Sequence, residues 1–239
     1  MIKKIITICI LAFVTVSLNA REFPICKDYY SIKESEKEQK EKFLQKVLKS
    51  DPQNVECMLK LASVYFRTGK VSEGFDLITA AYKIDPKFVK NAKISKILDL
   101  ALRLSSLRQK ANKTKDYTLW NELGDIYFDM GIFKEAKFAY ENSIELNSHQ
   151  ESKKILLAIC YGNESDLKSA KKILEDVLKE NPNSFYANYY YAKLLKNELS
   201  DKRWKIYMKK AWDLVQNAKL SDEGQREYLK EDIVYELEN

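Results

Sequence analysis

The sequence predicts an all-α chain built from helix pairs, and three observations predict it. Only 6 Gly and 4 Pro occur among 239 residues, which suits helices joined by short turns. Apolar residues recur at helical spacing, as in Ile94, Ile97, Leu98, Ala101, Leu102 and Leu104. Side chains of matching kind also return 34 positions later: Leu123 with Leu157, Gly124 with Ala158, Tyr127 with Tyr161. Hydrophobic residues make up 45% and charged residues 32%, the balance of a folded chain and not of a disordered one.

The clearest unit runs from Trp120 to Leu146. Its positions are Trp120, Leu123, Gly124 and Tyr127, then Gly131, then Phe133, Ala136, Tyr140 and Leu146. Small residues let two helices cross closely, and large ones fill the gap beside the crossing. This W-x2-L-G-x2-Y order, followed by a small residue and an aromatic, resembles the tetratricopeptide repeat, a helix–turn–helix unit of 34 residues. The resemblance implies a TPR-like α-solenoid of antiparallel helix pairs whose concave face holds a peptide or partner protein.

Taken in order, residues 1–20 read as a signal peptide. Met1–Lys4 is a short positive start, Ile5–Val16 is apolar apart from Thr7, Cys9 and Thr15, and Ala20 is a small exit. The apolar run is shorter than the roughly 20 residues of a membrane helix. Cleavage after Ala20 is expected, with retention as an anchor the alternative. The mature protein is expected in the periplasm or secreted, with no stable membrane insertion.

Residues 21–54 hold an N-terminal segment and a capping helix over 33–50, with Glu36–Lys40 and Glu38–Lys42 as pairs on its wet side. Residues 55–88 form a repeat with Leu61, Ala62, Tyr65, Gly69 and Gly74 in place, closed by Pro86. Residues 89–116 number 28 and lack a turn glycine, so they are a degenerate repeat or one long linker helix. Repeats follow at 117–150 and 151–184, the second with Lys154 in place of the Trp and Pro182 at its end. Residues 185–218 form a divergent repeat, and 219–239 a C-terminal capping helix with Ser221 as N-cap.

Several function classes are disfavoured. Formal net charge is +6, and loss of Lys3 and Lys4 with the signal leaves two fewer. The excess is spread among acidic residues and makes no basic stripe, so no nucleic acid partner is expected. His149 is the only histidine and lies between two repeats. No phosphate loop, nucleophile–base pair or metal-ligand cluster is present in the sequence, so no catalytic residue, metal or cofactor is assigned, and the protein is not read as an enzyme. Of the cysteines that remain after the signal, Cys160 reads as a buried thiol. Cys26 and Cys57 are either a candidate disulfide or two thiols.

The expected function is a non-catalytic protein–protein interaction adaptor of the bacterial cell envelope. The alternative is a periplasmic carrier of a glycan or peptidoglycan fragment, on which exposed tyrosines would stack. The inward positions of the repeat family imply a partner surface of Phe66, Asn121, Asp125, Phe128, Asp129, Ile159, Tyr186, Tyr189 and Lys193, with Arg67 and Ile155 beside them. The family's terminal-carboxylate clamp is absent, because Leu59, Ser63, Asn121 and Asp125 stand at its positions. Asp125 and Asp129 make the middle of this face negative; Lys193 and Lys196 make its C-terminal end positive. Tyr189 is expected to turn towards the groove.

Overall fold

A computed structural model describes residues 26–33, 35–92, 94–197, 202–217 and 223–238, with the side chains of residues 26–28, 217 and 223 left out. The expected signal peptide, the Ser221 cap and the side chain of Cys26 lie outside the described residues. Every regular element among the described residues is a helix. The chain falls into two compact units, one running to Thr114 and taking in Asp129–Ile132, the other covering Lys115–Phe128 and Phe133–Asn239.

The first unit starts with α1 (Cys26–Ser31) and α2 (Lys37–Ser50), followed by the pair α3 (Val55–Thr68) and α4 (Val71–Ile84). Asn54 caps α3 by accepting from the Cys57 backbone N–H at 3.0 Å. Gly69 ends α3 at φ 82, in the left-handed region where a Cβ is penalised. Gly74 lets α4 lie on the Phe66 ring, whose carbons sit where a Cβ would go. Tyr29, Leu44, Val47, Cys57, Leu61 and Val64 form the core under α1 and α2.

One detail of this unit differs from expectation. Lys42 does pair with Glu38 on the exposed side at 2.9 Å. Lys40, however, is buried, with its ammonium 4.9 Å from the Tyr29 ring. Lys60 approaches the same ring at 5.0 Å and pairs with Glu56 at 2.8 Å. An aromatic face placed against both lysines offsets part of their desolvation. In the 28-residue segment, the short α5 (Pro86–Asn91) ends and α6 (Ser95–Thr114) runs for 20 residues against α4.

The second unit holds α7 (Tyr117–Asp129), whose last residue groups with the first unit, and α8 (Phe133–Leu146). It continues with the pairs α9 (Glu151–Asn163) and α10 (Leu167–Glu180), then α11 (Phe185–Lys196) and α12 (Trp204–Asn217), and ends with α13 (Glu223–Glu238). Gly124 of α7 faces Tyr140 of α8 so closely that a Cβ would collide with the ring. The turn glycine has a counterpart one period later in Ser165, which takes φ 65 without being glycine. The core passes from Ile155, Ala158, Leu174 and Val177 to Tyr191 and Leu195, then to Met208, Ala211, Leu229 and Ile233. Within this unit the helices stack as antiparallel pairs in solenoid fashion.

Candidate partner-binding cleft

The first helices of successive repeats, α7, α9 and α11, frame a cleft of about 550 Å³ in the second unit. Its shape starts with one missing proline. The repeats at 55–88 and 151–184 carry Pro86 and Pro182 near their ends; the corresponding position of 117–150 is Ser148. A carboxamide network stops the chain there instead. Gln150 Nε2 donates to the Ser143 carbonyl at 3.1 Å, the Ser143 hydroxyl at 2.9 Å and the Asn147 carbonyl at 2.8 Å. Asn121 Nδ2 donates to Gln150 Oε1 at 2.5 Å, and the Ser143 hydroxyl donates to Asn121 Oδ1 at 2.7 Å. Ser143 is fully buried, so each of these bonds answers a polar group that would otherwise be costly. The network ties residues 147–150, which lie outside any helix, to α7, and Asn147, His149 and Gln150 form one wall of the cleft.

Tyr117, held by the Asp116 cap, and Tyr186 supply aromatic lining, and Ile155 an apolar one. Asp116 accepts from the Thr118 hydroxyl and backbone N–H, and these bonds hold its carboxyl below the ordinary 3.8. Lys153 reaches across from α9 to Asp125, at 2.5 and 2.7 Å from its two oxygens, while Asp125 also accepts from Tyr140 at 2.8 Å. The pair is partly solvated and contributes little to stability, on the order of 0–1 kcal/mol; it fixes the spacing of α7 and α9. His149 is exposed, with its ring 3.5 Å from the Ser148 hydroxyl, beyond the roughly 2.6–3.2 Å reach of a working general base. The arrangement can hold a chain by hydrogen bonds and ring contacts. Among the described residues, no group of three or more His, Cys, Asp or Glu could hold a metal ion, and no helix is long and apolar enough to cross a membrane.

The residues named from the repeat register scatter. Asn121, Ile155 and Tyr186 line the cleft. Asp125 is half-exposed and tied to Lys153. Phe128 is half-buried against Phe133 and Tyr140. Ile159 is half-buried against the α9–α11 core. Asp129 is exposed. Phe66 belongs to the first unit and is buried against Gly74 and Phe75. Tyr189 does not face a groove: it is 5% exposed and donates to Asp232 of α13 at 2.5 Å. Lys193 binds Asp232 and Glu236, and Lys196 binds Glu236, so the expected positive end is matched by acids from α13. Cys57 is buried in the α2–α3 core; its pairing with Cys26 falls outside the described side chains. Sequence reasoning missed Tyr117, His149, Gln150 and Lys153, which lie off the family's inward positions. The signal that could have found the wall is Ser148 in the place of a proline.

Tetratricopeptide-repeat family profiles match residues 117–149 and 155–184, so the two central segments are repeats of this kind. Similar solved structures include MamA, 18% identical over 77% of this chain and 91% of that one, with a TM-score of 0.41. YrrB, a TPR protein with an unusual peptide-binding site, is 17% identical over 82% and 84%, with a TM-score of 0.42. MamA from Desulfovibrio magneticus RS-1 is 10% identical over 82% and 98%, with a TM-score of 0.41. No curated protein matches the chain in sequence.

Proposed function

We propose that this protein is a non-catalytic adaptor of the bacterial cell envelope that holds a partner protein or peptide in the cleft between α7, α9 and α11. The observation that carries the reading is the cleft itself: α7 and α11 supply Tyr117 and Tyr186, α9 supplies an apolar contact at Ile155, and the 147–150 connection supplies a wall held by hydrogen bonds. Tyrosines bring contact area at low entropy cost, and their hydroxyls can donate to and accept from a peptide backbone. A photo-crosslinker at His149 is expected to capture a partner from envelope extract, and Tyr117→Ala, at an exposed ring of the cleft, to abolish the capture while the melting temperature holds. Equal capture from a crosslinker at Lys172 of α10, or capture indifferent to Tyr117→Ala, rejects the cleft.

Residues 1–20 are read as the export signal that brings the chain to that compartment. A second reading rests on Tyr117 and Tyr186 sharing one cleft. Two accessible rings suit a sugar, and a periplasmic carrier of a glycan or peptidoglycan fragment would use them by stacking. Saturable binding of purified cell-wall fragments in the absence of protein favours that reading over the adaptor.

A further inference from the structure

We infer that the chain pairs with a second copy of itself through the outer faces of its last two helices, α13 of one copy against α12 of the other, independently of the cleft proposed above. A solenoid ends where the next repeat would stack, so its terminal helix needs a polar outer face. On α13 that face is partly aromatic. Leu229 and Ile233 enter the core, while Tyr228 and Tyr235, about two turns apart, stand in solvent at 64% exposure each. Ile206 of α12 is 67% exposed. These are the three most exposed large apolar side chains among the described residues. Single apolar residues on a surface are ordinary, but three gathered on one terminal helix pair mark a surface that is covered in use.

The charges beside them say what covers it. The outer stripe of α13 reads Tyr228, Glu231, Tyr235, Glu238, at steps of three and four residues. Lys202, just ahead of α12, and then Ile206, Lys209 and Asp213 form a stripe of matching spacing and opposite net sign. Charges already engaged are not counted: Glu227 holds Lys230 at 2.8 Å, and the Lys205 ammonium lies 5.3 Å from the Trp204 ring. Glu231, Glu238, Lys202 and Lys209 are exposed and tied to no other side chain among the described residues. Run antiparallel, the two stripes set Glu231 against Lys209, Tyr235 against Ile206 and Glu238 against Lys202. The Tyr228 hydroxyl is then left to donate to Asp213. One copy cannot make these contacts by itself, because α12 and α13 already meet through Met208, Ala211, Leu229 and Ile233 in their shared core. Two copies related by a two-fold axis make them twice and close the assembly. A basic peptide would suit α13 but leave Ile206 uncovered; a second copy covers both faces.

Sedimentation of the full chain should show a concentration-dependent dimer that weakens as salt is added. Glu231→Lys with Glu238→Lys makes both stripes basic, and Lys202→Glu with Lys209→Glu makes both acidic. Each double variant should raise the dimer dissociation constant roughly tenfold or more, since attractive pairs become repulsive. Mixed in equal amounts, the two variants should restore the dimer, because a basic stripe then meets an acidic one at both contacts. Ile206→Ser leaves every charge in place and should also weaken the dimer; if a charge variant fails to fold, this variant decides. The inference is overturned if the natural chain stays monomeric at about 0.1 mM, if the dimer ignores both double variants, or if their mixture associates no better than either alone. A monomer that instead binds a lysine-rich helical peptide through Glu231 assigns the face to another partner and overturns it as well.

Discussion

Three side chains show how single positions set local geometry. Tyr140 is fully buried and lies on Gly124, so Gly124→Leu places a branched side chain inside the ring. Overpacking of this kind costs about 1–3 kcal/mol or more, and a clear fall in melting temperature is expected; an unchanged one would place the α7–α8 crossing elsewhere. Ser165 has the left-handed φ that Gly131 has in the previous repeat. Ser165→Gly removes a backbone conformation that disfavours side chains by roughly 1–2 kcal/mol, offset in part by the extra freedom of glycine in the unfolded chain. The melting temperature should therefore rise slightly, whereas Gly131→Ala should lower it. Cys160 is fully buried; burial first, and then the charge of Glu164, push its thiol up to about 12. Because the thiolate is the reactive form, alkylation at neutral pH should be negligible in the folded protein and should appear only with denaturant. Its removal from solvent, and not its sequence neighbours, makes it inert.

At the level of elements, α13 shows how a terminal helix is held. Leu229 and Ile233 enter the α11–α12 core, while Asp232 and Glu236 meet Tyr189, Lys193 and Lys196. Burial acts to raise the Glu236 carboxyl, but hydrogen bonds from Lys196 and Lys193 outweigh it and hold it below its ordinary 4.5. Burial likewise opposes the Lys193 ammonium, and its bonds to Asp232 and Tyr189 raise it above the usual lysine range. A carboxyl depressed on folding contributes stability that is present above its unfolded value and is lost as pH falls through the folded one. The docking of α13 should therefore loosen as the medium is acidified below about 4.5. Hydrogen exchange along α13 measured against pH checks this, and Glu236→Gln should flatten the dependence. Tyr189→Ala removes a buried ring beneath the same helix and should cost about 3 kcal/mol, so any loss of partner binding in that variant would report a damaged fold, not a lost contact.

For the whole molecule, the distribution of polar side chains bears on function more than the repeat does. The repeat supplies a frame, and a departure from its pattern makes the opening: Ser148 stands in the place of proline beside the cleft between α7, α9 and α11. Phe128→Ala separates two roles. Its ring rests on Phe133 and Tyr140, 5.6 and 6.4 Å away, so a fall in melting temperature with capture at His149 unchanged is expected. Lost capture with the fold intact would extend the partner surface along α7. Export is tested by the intact mass of protein recovered outside the cytoplasm, which should begin at Arg21; a mass that keeps residues 1–20 rejects cleavage.

By itself the sequence determined the all-α class, the pairing of helices and the register of the central repeats. Those follow from local chemistry: helical spacing of apolar residues, glycine where φ is positive, and small residues where helices cross. The Trp120–Leu146 pattern was legible because each of its residues acts on a neighbour within the same hairpin. What the tertiary structure alone decided is which polar groups remain available. Lys40 is an ordinary i,i+4 partner in sequence and a buried cation against Tyr29 in the fold. Tyr189 and Lys193 are groove residues by register, yet α13, some forty positions later, covers one and neutralises the other. Gln150 lies outside the repeat's inward positions, yet it organises the cleft through Asn121, 29 residues earlier. Long-range partners of this kind leave no periodic trace, because hydrogen bonds and ion pairs depend on distance in space, and spacing along the chain encodes only the contacts made within one helical hairpin.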